Sequence, residues 1–107
     1  MIKISILYPN NDNAYFDVDY YLNNHIPLAM DYLSSHSGFR GMSIEQGIGS
    51  SVPNQAAAYL IMCHFIFESL EDFMQAFMPH APQLQADIPN YTDINPIIQI
   101  SNILMAQ

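Results

Sequence analysis

The chain has 107 residues, half of them hydrophobic, which allows one domain and excludes a disordered chain. Ten acidic residues against Lys3 and Arg40 alone give a formal net charge of −8. No basic stripe for phosphate contacts can be built from two cations, so nucleic acid and anionic membrane surfaces are not expected partners. The carboxylates are scattered rather than run together, which reads as a solvated surface and not an acidic tail.

Ile2 to Tyr8 alternates with a period of two and reads as a strand, ended by Pro9. Asn10 to Asn13 reads as a turn. Helical character starts near Phe16 or Asp17, where acidic side chains suit a first turn. Val18, Tyr21, Leu22, His25, Ala29 and Tyr32 fall on one helical stripe. Pro27 lacks an N–H, so a kink or restart is expected there, with helix continuing to about Ser35 and Gly38 just past its end.

Arg40 to Gly49 reads as a second strand, with Met42, Ile44, Gln46 and Ile48 on one face and Gly41, Ser43, Glu45 and Gly47 on the other. Residues 49–55 read as a loop. Ala57 to Phe67 is almost continuously apolar and is expected to be a strand buried on both faces. Within it, Tyr59, Ile61, Cys63, Phe65 and Phe67 form the bulkier set and should face the helices; His64 then points the other way, with Leu60, Met62 and Ile66. Ser69 with Asp72 makes a capping-box variant before the helix LEDFMQAFM. Pro79 or Pro82 breaks that helix, and a further piece runs through Leu84 and Ala86. Asp87 to Asp93 reads as a loop and Asn95 to Leu104 as the last strand.

The order β-α-β-β-α-β predicts a ferredoxin-like α+β domain over residues 1–107: one antiparallel four-stranded sheet with two helices on one face. Helices cover only one side of such a sheet, whereas the third strand is apolar on both. A homodimer paired through the open sheet face is the simple expectation. Cys63 is the only cysteine, so no internal disulfide is possible, and its apolar run reads as a buried, inert thiol. The N-terminal apolar stretch is too short for a signal peptide, and no window of about 18 apolar residues exists. A cytoplasmic protein with no membrane partner is expected.

Phe16-Asp17-x-x-Tyr20-Tyr21-x-x-x-His25-x-Pro27-Leu28, following a strand that ends Tyr8-Pro9, resembles the EthD family, named for ethyl tert-butyl ether degradation. Phe67-Glu68-Ser69 is similar to the family's turn into its second helix, and Asp87-Ile88-Pro89-Asn90-Tyr91 to its D-x-x-N-[FY] segment. The resemblance covers nearly the whole chain. It implies a dimeric α+β barrel, a fold shared with small antibiotic-biosynthesis monooxygenases, muconolactone-type isomerases, polyketide cyclases and some haem proteins. About the reaction it implies less: family members often lack an assigned activity, and the founding member is an accessory protein of an oxidative degradation system.

His25 is the first candidate for chemistry. Its imidazole can exchange a proton near neutral pH, and it lies one turn after Tyr21 on the apolar stripe. Two readings stand: a general base or acid assisted by Tyr21, or a histidine that ties a kinked helix to a nearby carbonyl. His64, among Leu and Met, is either a base in a hydrophobic pocket or an interface histidine bonded to a partner residue. Tyr8, Met62 and Met42 are candidates, with His64, to line a pocket for a small apolar ligand. His36 and His80 read as surface or loop residues.

No HxH or HExxH is present, Asp17 and Asp19 do not share a helical face, and no metal is expected. There is no nucleophile elbow, and GIGSS has neither a lysine nor a following helix to make a phosphate loop. Together with the EthD resemblance, which implies this type, the expectation is a cofactor-independent enzyme, oxidoreductase (monooxygenase)- or isomerase-like, acting on an apolar oxygenated small molecule by proton transfer. The alternative is a non-enzymatic binding or accessory protein with the same pocket.

Overall fold

A computed structural model describes residues 1–107. The strands are β1 (Ile2–Pro9), β2 (Phe39–Gln46), β3 (Tyr59–Phe67) and β4 (Ile97–Asn102). They form one sheet in the order β2-β3-β1-β4, with every neighbouring pair antiparallel. The helical segments are α1 (Val18–Tyr20), α2 (Ile26–Leu33), α3 (Leu70–Phe77) and α4 (Ala81–Asp87). This is the ferredoxin-like α+β arrangement. No helix is long and apolar enough to cross a membrane.

β1 and β3 lie at the centre of the sheet because their alternation gives each a continuous apolar face. Ile2, Ile4 and Tyr8 of β1 and Ile61, Cys63, Phe65 and Phe67 of β3 are buried against the helices. Ala29 and Leu33 of α2 and Phe73 and Ala76 of α3 complete that core. In the single chain, the opposite face of β3 (Leu60, Met62, His64 and Ile66) is only partly covered. The expectation of burial on both faces is therefore met on the helix side alone, since both helices stand on that side.

The first helix departs most from its sequence pattern. Asp17 caps it, accepting the Tyr20 N–H at 3.0 Å, and α1 begins at Val18. Tyr21–His25 then forms a π-helical turn closed by the Ile26 N–H on the Tyr21 carbonyl. Pro27 follows in the first turn of α2, where a missing N–H costs little. The π turn takes one residue more than an α turn, so the buried stripe shifts. Tyr21, His25 and Ala29 stay inside, but Ile26 and Leu33 join them, while Leu22 is left 45% exposed.

Other boundaries differ for local reasons. The helix ends at Leu33 rather than Ser35, and Gly38 is needed for space, because a Cβ there would collide with the Asp72 side chain at the start of α3. Ser69 accepts the Asp72 N–H at 3.1 Å and caps α3 as its spacing predicts. β3 starts at Tyr59 rather than Ala57, and β4 is shorter than Asn95 to Leu104. The expected loop from Asp87 is instead the end of α4 followed by a 3-10 turn, Ile88–Asn90, whose Pro89 sits in the first turn, where proline is tolerated. Thr92 then bridges to Phe16, fixing this segment beside the first helix.

Candidate active site

His25 is 9% exposed and is held by residues from two segments far apart in sequence. Its Nδ1 lies 2.9 Å from Asp87 Oδ2. A carboxylate only accepts, so Nδ1 carries the proton and Nε2 keeps its lone pair. The other Asp87 oxygen accepts from the Tyr20 hydroxyl at 2.7 Å and from Asn90 Nδ2 at 2.9 Å. Asp87, Asn90 and Tyr91 share a face because they are three and four residues apart across the helical end of α4.

On the other side of the ring, Nε2 faces the Tyr91 hydroxyl at 3.5 Å, which is long for a hydrogen bond. The Nε2 lone pair is therefore not firmly committed. Tyr91 in turn shares a 2.7 Å hydrogen bond with Tyr8. Tyr21, one π turn before His25, stacks on the imidazole with centroids 5.7 Å apart and planes 14° apart. Phe16 packs edge-on against Tyr8, Tyr21 and Tyr91. The aromatic cage fixes the ring plane, and Asp87 fixes the tautomer.

The charges follow from these contacts. Burial lowers the His25 pKa below its ordinary value, outweighing the opposite pull of Asp87, so the imidazole is neutral at pH 7. Burial pulls the Asp87 carboxyl up, but hydrogen bonds from Asn90, Tyr20 and His25 together hold it below the usual carboxylate value. The pair is thus a neutral imidazole on an ionised carboxylate. Burial pushes Tyr8 up to about 12 and raises Tyr91 and Tyr21 further, so all three hydroxyls keep their protons. The Cys63 thiol, also pushed up to about 12 by burial, is not a nucleophile at neutral pH.

His25, Tyr8, Tyr21 and Tyr91 line one end of a cavity of about 80 Å³ between the helices and the sheet. Ile26, Ala29, Phe73, Phe77 and Leu84 supply its apolar walls, and Ile6, Pro96 and Ile98 lie toward β4. An 80 Å³ space exceeds the share of a single water, about 30 Å³, but is smaller than the roughly 150 Å³ apolar cavity that admits benzene. That leaves room for only a few heavy atoms beside the tyrosine side chains. No three His, Cys, Asp or Glu side chains converge to hold a metal ion.

The sequence candidates divide between the two sides of the sheet. Tyr21 and Tyr8 join His25. His64 and Met62 lie on the open face, away from it. Met42 pairs with Phe65 on the helix side and packs against the core, but does not line the cavity. His64 Nδ1 lies 2.7 Å from Ser5 Oγ, and its Nε2 lies 3.1 Å from Glu45 Oε1. His36 bonds Gln75 at 3.0 Å, and His80 stacks on Tyr32 with centroids 3.6 Å apart. Sequence reasoning left Asp87, Asn90, Tyr91 and Tyr20 without roles. The signal lay in the Asp87-x-x-Asn90-Tyr91 segment, whose i, i+3, i+4 spacing puts three polar groups on one helical face.

A family model described as the EthD domain matches residues 14–95, which include the first helix, Asp87 and Tyr91. The chain belongs to the EthD family. A crystal structure of an EthD-like protein from Ralstonia eutropha JMP134 agrees with 35% identity and a TM-score of 0.91, over 99% of this chain and 94% of that one. Two more distant neighbours share the fold. One is described as a dimeric protein of unknown function and ferredoxin-like fold from Bacteroides fragilis (16% identity, TM-score 0.56, 95% of each chain). The other is SnoaB, a cofactor-independent oxygenase from Streptomyces nogalater (9% identity, TM-score 0.55, 98% of this chain and 93% of that one). No curated protein matches the chain in sequence.

Proposed function

We propose that this EthD protein is a cofactor-independent enzyme that takes a proton from a small apolar, oxygenated molecule bound beside His25. The observation that carries this is the 2.9 Å Asp87–His25 contact, which leaves a neutral imidazole with its Nε2 lone pair at the tyrosine end of an apolar cavity. A base oriented by a carboxylate beside an apolar pocket is the arrangement that general base catalysis needs. Nε2 takes the proton from a carbon next to a carbonyl. The Tyr91 hydroxyl, linked to Tyr8, donates a hydrogen bond to the developing enolate oxygen.

The enolate has two outlets. Return of the proton to a different carbon gives isomerisation. Reaction of an activated CH2 group with O2, giving C=O and water, balances without a cofactor, and the SnoaB neighbour is described as a cofactor-independent oxygenase. The test is deuterium incorporation from D2O into small ketones such as cyclopentanone, followed by NMR. The wild type should accelerate exchange, and His25→Ala should lose about 10²–10⁴-fold of that rate while melting cooperatively. Ligand-induced stabilisation without any acceleration would instead establish a binding or accessory role.

We also propose that a second copy of the chain covers the open sheet face. Leu7, Leu60, Met62 and Ile66 lie there only partly covered, and helices from the same chain cannot reach them. Sedimentation of the protein at micromolar concentration tests this directly.

A further inference from the structure

The open sheet face carries its own charge pattern, and its registers place each side chain on a grid. His64 stands opposite Ser5 on β1 and Ser43 on β2, and Ser5 stands opposite Gln99 on β4. A polar row therefore crosses the centre of the face. Two residues along β1 in one direction lies Lys3, opposite Ile66. Two residues along β2 in the other direction lies Glu45, opposite Met62. Lys3 and Glu45 thus sit diagonally on either side of His64, which occupies the midpoint between them.

The partners of these charges are incomplete. Arg40, the only other side-chain cation apart from histidine, is already paired with Glu68 at 2.6 Å, whereas Lys3 has no carboxylate within ion-pair reach. Glu45 Oε1 is buried 3.1 Å from His64 Nε2, yet it has no hydrogen bond. A chain of net charge −8 repels its own copies. An interface between two copies must then place its free cation where it meets a carboxylate.

We propose that the second copy docks on this face about a two-fold axis passing at His64, so that Lys3 of each chain meets Glu45 of the other. A two-fold interface is self-complementary: if Lys3 contacts Glu45, Glu45 contacts Lys3. The axis must pass through the midpoint of the pair, which the registers put at His64. The Ser5–His64 hydrogen bond, 2.7 Å long, holds the imidazole on the Ser5 side, and the Glu45 side chain, with Oε1 against His64, is still 41% exposed toward the open face. The apolar neighbours Leu7, Met62 and Ile66 supply contact area, while the two Lys3–Glu45 pairs choose one register among the alternatives that area permits. This inference rests on the reading that a second copy covers the face, and it adds which residues set the orientation.

The test is a charge-swap series measured by sedimentation across a concentration range: wild type, Lys3→Glu, Glu45→Lys, and the double variant, each checked for a cooperative melt. Either single reversal places like charges together and should weaken dimerisation about tenfold or more, and the double variant should restore it. A wild-type dimer that neither single reversal weakens overturns the proposed register while leaving the covered face intact. Single reversals that weaken the dimer without recovery in the double variant overturn it too. A wild-type monomer at micromolar concentration removes both the register and the reading beneath it.

Discussion

Asp87 and His25, 62 residues apart in sequence, meet at 2.9 Å where the end of α4 packs beside the first helix. The carboxylate is itself gripped by Tyr20 and Asn90, so it has one position and gives the imidazole one tautomer. Asp87→Asn should disturb both. An amide can present its NH2 to Nδ1 and so favour the opposite tautomer, and it removes a charge that favours imidazolium. Exchange activity should fall by about tenfold or more while the chain stays folded, and the His25 pKa, followed by NMR, should move lower still. Loss of the charge-assisted bonds should also cost about 1–3 kcal/mol in urea unfolding. An unchanged His25 titration would show that the carboxylate does not govern the ring.

Acid should destabilise this protein through two groups acting in the same direction. The folded-state pKa of His25 lies below the unfolded value, so the unfolded chain binds more protons as pH falls through the range near 6.5. Stability should therefore decline from there down to the folded-state pKa. Asp87, depressed below 3.8, contributes stability above that value and loses it as pH falls further through its folded-state pKa. Urea midpoints measured from pH 7.5 to 5 should decrease in the wild type, and His25→Gln should flatten that upper slope. If the two proteins show the same slope, His25 is not the group that titrates.

The element order and the two faces of β3 were legible because strand alternation is a local property, written within a few residues of each position. The site was legible only in part. His25 and Tyr21 lie one turn apart, so their pairing needed no tertiary knowledge, whereas Asp87 and Tyr91 reach them only through the packing of α4. Asp87–Asp93 reads as a loop in sequence, but α4 runs to Asp87 and Pro89 sits in the first turn of a 3-10 segment. Met42 and His64 differ for a similar reason. Which face a strand presents depends on its pairing, and Met42 sits opposite Phe65 while His64 sits opposite Ser43.

Leu84 tests the cavity. It is 6% exposed and forms part of the apolar wall. Leu84→Ala should cost about 2–4 kcal/mol, with an unchanged urea m-value, because it removes buried methyl groups and enlarges a space that already exists. The larger space should bind benzene, detectable as a rise in melting temperature that the wild type does not show. Destabilisation without any benzene effect would mean that the walls collapse, and that the cavity is not held open by the surrounding helices.

Ser69 is the simplest local test of the second helix. Its hydroxyl accepts the Asp72 N–H at 3.1 Å, satisfying a donor that the helix cannot pair for itself. Ser69→Ala should destabilise the fold by about 1 kcal/mol, and Ser69→Asp should recover most of the loss, as expected of an N-cap. Neither change should alter exchange activity, since Ser69 lies outside the cavity lining.

The π turn offers the sharpest separation of fold from function. Tyr21–His25 carries one residue more than an α turn, and the extra residue is what lets Tyr21 and His25 stack with planes 14° apart while Ile26 and Ala29 still face the sheet. Asn24 is exposed in the middle of this turn. Deleting it should let the residues before Pro27 close as an ordinary α turn, which removes the wide turn. The two halves cannot then both keep their register: with Tyr21 anchored in its aromatic cage, the imidazole swings away from Asp87. The expected outcome is a folded protein with undiminished helical circular dichroism, a His25 titration returning toward about 6.5, and exchange activity lost to the level of His25→Ala. A deletion variant that keeps both the depressed His25 pKa and the activity would show that the turn is not what positions the base.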